Sequence, residues 1–216
     1  KARRSDNMER TVAKCLLEIK SIFFGFETEY LSADGYRMPL YCDNRLILSY
    51  PRVRKFLSKQ LANLVIEKYP DVEMIIGTAN AGIAFAVLVS EQLGLPMGYV
   101  LESQKKHGFK NRVEGIIKPN AKVVVIDDVI FTGNTITDVV DCLQGVNCRV
   151  LGGVSIFSYE IDSVKEKLEK LNIKYSSLTN LNGVSLIGMQ TGKITYDEYL
   201  KIQSFREDPT KEDWLV

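Results

Sequence analysis

Four apolar residues in a row, Val123, Val124, Val125 and Ile126, lead straight into two adjacent carboxylates, Asp127 and Asp128. After three apolar residues, Val129, Ile130 and Phe131, comes a turn of Thr132, Gly133, Asn134 and Thr135. A strand with one wet face alternates polar and apolar residues. One without a polar side is buried on both faces, as in a parallel sheet covered by helices. In such open sheets ligands bind beyond the carboxyl ends of the strands. The turn opens a helix expected over 134–144, and its backbone N–H groups, hydroxyls and positive helix end suit a phosphate. Paired carboxylates beside a phosphate cradle suit ribose hydroxyls, a Mg²⁺ hydration shell, or both. A helix N-cap next to a stray acid would explain less of this stretch.

The rest of the chain agrees with a parallel sheet. Over 10–24, Val12, Cys15, Leu16, Ile19 and Phe23 share one helical face. Residues 25–48 are aromatic and irregular, with turn signals at Asp34-Gly35 and Pro39. Pro51 is placed to start a helix whose apolar residues recur up to Tyr69. Strands are expected over 74–77, 97–101, 150–157 and 175–178, and helices over 82–93, 163–171 and 196–204. Strands alternating with helices give an α/β fold. The chain has 216 residues, enough for one domain without a disulfide or metal staple. That domain is expected over 10–216, with an unstructured leader over 1–9 in which Met8 is a candidate start.

Composition removes several function classes. Lys and Arg number 28 against 27 Asp and Glu, a poor footing for a dedicated nucleic-acid binder. No apolar run is long enough to span a membrane, and the basic, polar first residues do not form a secretory signal. A cytoplasmic protein is expected. Cys15, Cys42, Cys142 and Cys148 lack the paired spacings of a zinc site and read as reduced, mostly buried thiols. His107 is the sole histidine, so no His-ligated metal cluster fits within one chain.

The stretch from Val123 to Thr135 resembles the phosphoribosyl-pyrophosphate (PRPP) motif of the type I phosphoribosyltransferases, and the likeness is closest to the orotate phosphoribosyltransferases. It extends to Tyr41-Cys42-Asp43-Asn44-Arg45, to the pyrophosphate loop Ala79-Asn80-Ala81-Gly82, and to His107-Gly108 with Val113-Glu114-Gly115. It continues through Gly152-Gly153-Val154-Ser155-Ile156-Phe157 to the end, from Phe205-Arg206 to Trp214. The resemblance implies a type I phosphoribosyltransferase fold with a central, mostly parallel sheet. A hood would come from about 10–50 plus the C-terminal segment, and a core from about 51–180. It implies transfer of the 5-phosphoribosyl group of PRPP to orotate, with Mg²⁺, in a homodimer with shared sites. By resemblance Asp127 and Asp128 hold ribose hydroxyls and magnesium-bound water, and Thr132, Gly133, Asn134 and Thr135 cradle the 5′-phosphate. Ala79, Asn80, Ala81 and Gly82 meet the pyrophosphate. Lys105 matches the catalytic lysine that reaches into the partner subunit, and His107 the loop histidine. Arg37, Tyr41 and Phe131 are the candidates for the orotate pocket.

Several positions depart from the family pattern. Leu101-Glu102 stands where Arg-Lys is usual, adding an anion beside the pyrophosphate. Phe131 replaces a small residue next to the base, Asp34 and Met38 replace residues of the orotate segment, and Ala84-Phe85 replaces Pro-His. Three functions therefore stand at this point: an orotate phosphoribosyltransferase, a phosphoribosyltransferase with a more apolar acceptor, and a non-catalytic sensor of PRPP or a nucleotide.

Overall fold

A computed structural model describes residues 2–26, 30–32, 34–102 and 112–210. The N-terminal part is α1 (Ala2–Glu18), β1 (Ile22–Phe24), β2 (Tyr30–Leu31), β3 (Arg37–Met38), β4 (Leu40–Cys42) and a 3₁₀ turn (Asn44–Ser49). The core follows as α2 (Pro51–Lys68), β5 (Met74–Thr78), α3 (Ala81–Leu93), β6 (Met97–Val100), β7 (Val113–Glu114), β8 (Lys122–Ile130), α4 (Asn134–Gly145), β9 (Arg149–Ser158), α5 (Asp162–Lys170) and β10 (Tyr175–Asn180). Two helices, α6 (Leu181–Gln190) and α7 (Tyr196–Glu207), close the described chain.

The six-stranded sheet has the order β10-β9-β8-β5-β6-β7, parallel except for the edge pair β6–β7. The apolar run of β8 lies at its centre, with Val123, Val124, Val125 and Ile126 fully buried. Pro51 occupies the start of α2, where its missing N–H costs no helical bond. From β5 the chain crosses to β6 on one side, and from β8 it crosses to β9 on the other. The crevice between the ends of β5 and β8 is therefore the switch point of the sheet, where ligands of this architecture bind.

The N-terminal part packs on the core as one body. Leu16, Ile22 and Leu40 share an apolar cluster with Leu57, Ile75, Phe85 and Ile156 of the core and with Ile202 and Phe205 of α7. Helix α1 lies against α6. Two expectations need correcting here. The helix expected over 10–24 runs over Ala2–Glu18, so the supposed leader is helical from Ala2, and residues 22–24 form a strand paired with β4. Ser21, fully buried, shows why: its hydroxyl donates to Asn44 Oδ1 at 2.8 Å and its backbone N–H to the Leu16 carbonyl, which ends the helix.

Candidate active site

Both carboxylates of the motif lie at the carboxyl end of β8 and are almost wholly buried, Asp127 at 7% and Asp128 at 8% exposure. Across the switch point the Thr78 hydroxyl, at the end of β5, donates to Asp127 Oδ1 at 2.7 Å. The Asp128 backbone N–H donates to the same oxygen at 2.9 Å. Burial raises the Asp127 pKa, and these two donors oppose the rise. Burial, and after it repulsion from Asp127, pushes Asp128 well above the usual carboxylate range. The Asp128 carbonyl accepts from Asn44 Nδ2 at 2.8 Å, so a fully buried amide of the hood holds the motif strand in place.

The loop after β5 comes to the same place because Gly82 has no side chain. A Cβ there would lie 2.3 Å from Thr78 Oγ1, 2.5 Å from the Ile126 carbonyl oxygen and 3.3 Å from the Asp127 Cα. The start of α3 can thus sit on the ends of β5 and β8, with Ala79, Asn80 and Ala81 at the crevice. The Ala79–Asn80 peptide bond is cis. Asn80 Nδ2 lies 3.4 Å from Glu102 Oε1, so the acid that replaces a family cation does stand beside this loop.

The turn after β8 forms the N-terminus of α4. Gly133, at φ 71°, is its N-cap, a left-handed conformation that favours glycine. A cavity of about 500 Å³ opens beside this turn, lined among others by Asp34, Tyr36, Phe131, Thr132, Asn134 and Lys167. Lys167 of α5 donates to Asn134 Oδ1 at 2.7 Å. Thr132 Oγ1 donates to Asp34 Oδ2 at 2.9 Å, which puts a hood carboxylate on the turn. A second cavity of about 630 Å³ runs along α5, and Phe131, Ile161 and Val164 line both.

The other sequence candidates are distributed as follows. Phe131 is edge-on to Tyr36 and Tyr159, with centroids 5.6 and 4.9 Å away, and stacks on Phe205 at 6.2 Å. Its bulk is largely taken up by this aromatic cluster. Arg37 lies in β3, opposite Leu31, and the Tyr41 ring packs at 5.8 Å from that of Tyr30. Met38 and Phe85, two of the departures from the family pattern, are core residues with 3% and 0% exposure. Lys105 and His107 fall in 103–111, and Trp214 in 211–216, outside the described residues. Of the four thiols, Cys42 and Cys148 are buried, and Cys15 and Cys142 half-buried.

Sequence reasoning missed Thr78 as the donor to Asp127, because nothing local ties residues 49 positions apart. The partner role of Asn44 was equally hidden. Asn44 stands between Asp43 and Arg45 in the sequence, so no local signal marked it, and only its burial shows an amide that needs partners.

Among the described residues no group of three or more His, Cys, Asp or Glu is arranged to hold a metal ion. The donor set still fits Mg²⁺, which keeps much of its water and is commonly held by one or two carboxylates together with substrate phosphates.

Residues 48–189 match the phosphoribosyl transferase domain family. Orotate phosphoribosyltransferase of Bacillus cereus (strain ATCC 10987 / NRS 248) is 42% identical over 209 residues, covering 97% of this chain and all of that one. The enzyme of that name from Bacillus anthracis is 41% identical over the same span. Among solved structures, orotate phosphoribosyltransferase from Aeropyrum pernix superposes with a TM-score of 0.73 at 23% identity, covering 85% of this chain and 99% of that one. Leishmania donovani UMP synthase gives a TM-score of 0.78 at 22% identity, over 92% of this chain and 42% of that one. The parallel sheet, the carboxylate pair at its switch point and the full-length likeness agree: the chain belongs to the phosphoribosyltransferase family, among its orotate phosphoribosyltransferases.

Proposed function

We propose that this protein is an orotate phosphoribosyltransferase, which forms orotidine 5′-monophosphate and pyrophosphate from PRPP and orotate for pyrimidine synthesis. The observation that carries this reading is 42% identity over 97% of the chain to an enzyme of that name. A ring nitrogen of orotate attacks C1 of the ribose as the bond from C1 to the pyrophosphate oxygen breaks. Positive charge grows on the sugar ring and negative charge on the leaving group. Asp127 and Asp128 hold the ribose hydroxyls, and their carboxylates stand ready for a hydrated divalent ion. Bound with the substrate, Mg²⁺ supplies neutralising charge for the departing pyrophosphate. The turn 132–135 fixes the 5′-phosphate with backbone N–H groups at the start of α4, and 79–82 receives the pyrophosphate. Lys105 and His107 act from the segment between β6 and β7, and Lys105 completes the site of a partner in a homodimer. Arg37, Tyr41 and Phe131 belong to the orotate side.

Met38 and Phe85, in the core, contribute no lining for a more apolar acceptor. That leaves Asp34 and Phe131 beside the phosphate turn and Glu102 beside the loop 79–82 as the departures facing the site. Free thiols and the absence, among described residues, of a helix long and apolar enough to cross a membrane suit a cytoplasmic enzyme. The test is formation of orotidine 5′-monophosphate from PRPP, orotate and Mg²⁺. Product from another base alone would make the chain a transferase with a changed acceptor. Binding of PRPP with no product from any base would make it a sensor.

A further inference from the structure

The turn that carries Asp34 is built to hold that carboxylate over the phosphate loop. Ser32 organises it: the Ser32 N–H donates to the Tyr36 carbonyl at 2.9 Å, and the Gly35 N–H to the Ser32 carbonyl at 3.0 Å. The Tyr36 N–H donates to Ser32 Oγ at 3.0 Å, and Gly35 takes φ 83°. The turn then docks at two points, Asp34 on the Thr132 hydroxyl at 2.9 Å and the Tyr36 ring against that of Phe131 at 5.6 Å. Thr132 has one hydroxyl proton, and here a carboxylate takes it. A phosphate entering the turn 132–135 needs that donor and is repelled by that charge. Carboxylate and phosphate therefore exclude each other at Thr132.

We infer that Asp34 is an internal competitor for the 5′-phosphate: its carboxylate takes the Thr132 hydroxyl and must leave before any ribose 5-phosphate group can seat. This rests on the reading of 132–135 as the phosphate cradle. PRPP, with further contacts at Asp127, Asp128 and 79–82, offsets the displacement. A ligand held by its 5′-phosphate alone does so poorly. The nucleotide product carries the same 5′-phosphate without the pyrophosphate, so Asp34 also favours its departure. The penalty is common to substrate and product, and so acts as uniform binding does, on KM and on product release.

Calorimetry with ribose 5-phosphate as the probe, on the whole chain, tests this without turnover. Asp34 is exposed on its turn, so Asp34→Asn and Asp34→Ala leave the fold in place. Both are expected to bind ribose 5-phosphate on the order of tenfold more tightly than wild type, the change typical of a charge-assisted hydrogen bond. Mg²⁺-pyrophosphate, seated at 79–82, is expected to bind all three proteins alike. Thr132→Val is expected to weaken ribose 5-phosphate binding strongly in the Asp34→Ala background and little in wild type, where the hydroxyl is already taken. Unchanged ribose 5-phosphate affinity in both Asp34 variants overturns the competitor. Equal tightening of pyrophosphate also overturns it, since that would be a general effect of lost charge. If Thr132→Val has no effect even beside Asp34→Ala, the cradle reading of Thr132 falls, and the competitor with it.

Discussion

The carboxylate pair should cost the unliganded protein stability, and Asp128→Asn should recover part of it while destroying substrate binding. Asp128 is 8% exposed, and its pKa is pushed from an ordinary 3.8 to about 8 by burial first and the Asp127 charge second. Below about pH 4 the acid is protonated in both the folded and the unfolded chain, so it has no effect on stability. As the pH rises, the unfolded chain releases its proton while the folded one retains it, and stability falls. Above the folded pKa the loss is complete and constant. At about 1.4 kcal/mol per unit, the ceiling at neutral pH is about 4 kcal/mol, and sharing of the proton with Asp127 reduces it to roughly 1–3 kcal/mol. An amide can donate to Asp127 as the protonated acid does, without the charge. Urea unfolding of wild type and Asp128→Asn, free of Mg²⁺ and PRPP, should show the variant gaining by that amount between pH 5 and pH 7.5. Its PRPP affinity by calorimetry should fall at least about tenfold, as loss of a group that holds charged ligands requires. A stability difference that stays constant across that pH range would refute the argument from burial. Undiminished PRPP binding in the Asp127→Asn/Asp128→Asn double variant would refute the assignment of the site.

Thr78→Val removes the donor to Asp127 with little change of shape, and should lower stability by about 1.5–3 kcal/mol at neutral pH; an unchanged urea midpoint would show that the bond contributes nothing. Gly82→Ala forces a methyl against Thr78 Oγ1 and the Ile126 carbonyl, so PRPP-dependent activity should fall more than a hundredfold, checked by steady-state rates on protein shown to be folded by circular dichroism. Phe131→Ser takes the ring from between Tyr36, Tyr159 and Phe205 and should cost about 2–3 kcal/mol, less than a fully buried Phe loses, while raising KM for orotate as the hood turn loses its anchor; a higher kcat/KM would instead mean that the ring obstructs the acceptor. Mixing inactive Lys105→Ala with inactive Asp128→Asn should restore part of the activity through hybrid dimers, and a mixture that stays dead despite subunit exchange rules out sites completed across the interface.

The core strands and most helices were legible because their signals are local. Pro51 opens α2, the unbroken apolar run is the centre of the sheet, and the turn 132–135 does start a helix. The misreadings have physical causes. Helix α1 carries its apolar stripe only as far as Leu16, with Ile19 just past its end, and Phe23 fits the stripe by coincidence of spacing, although residues 22–24 pair with β4. Helix α6 was missed altogether. Its sequence has no polar face and contains two glycines, which a helical pattern disfavours, yet it is buried and started by Asn180, whose side chain accepts from the Gly183 N–H at 2.8 Å. Met38 and Phe85 depart from the family pattern at positions near site residues in the chain, and the fold turns both inward.

The site divides along the same line. Its carboxylate pair and the turn 132–135 are close in sequence, on one strand and at the start of the helix that follows it. What tunes them comes from far away: Thr78 is 49 residues from Asp127, Asn44 is 84 from Asp128, and Asp34 is 98 from Thr132. Two of these three bonds come from the hood, and they act in opposite senses. Asn44 is buried and fixes the backbone on which the carboxylates ride, whereas Asp34 is exposed and meets the loop through a side chain that a substrate can replace. A hood bound to the site only by contacts of the first kind would be rigid, and one bound only by the second would lose its register with every turnover. With one buried and one exposed hydrogen bond to the site, the hood can stay aligned on β8 while its outer turn yields, and the burial of each residue tells which bond is which.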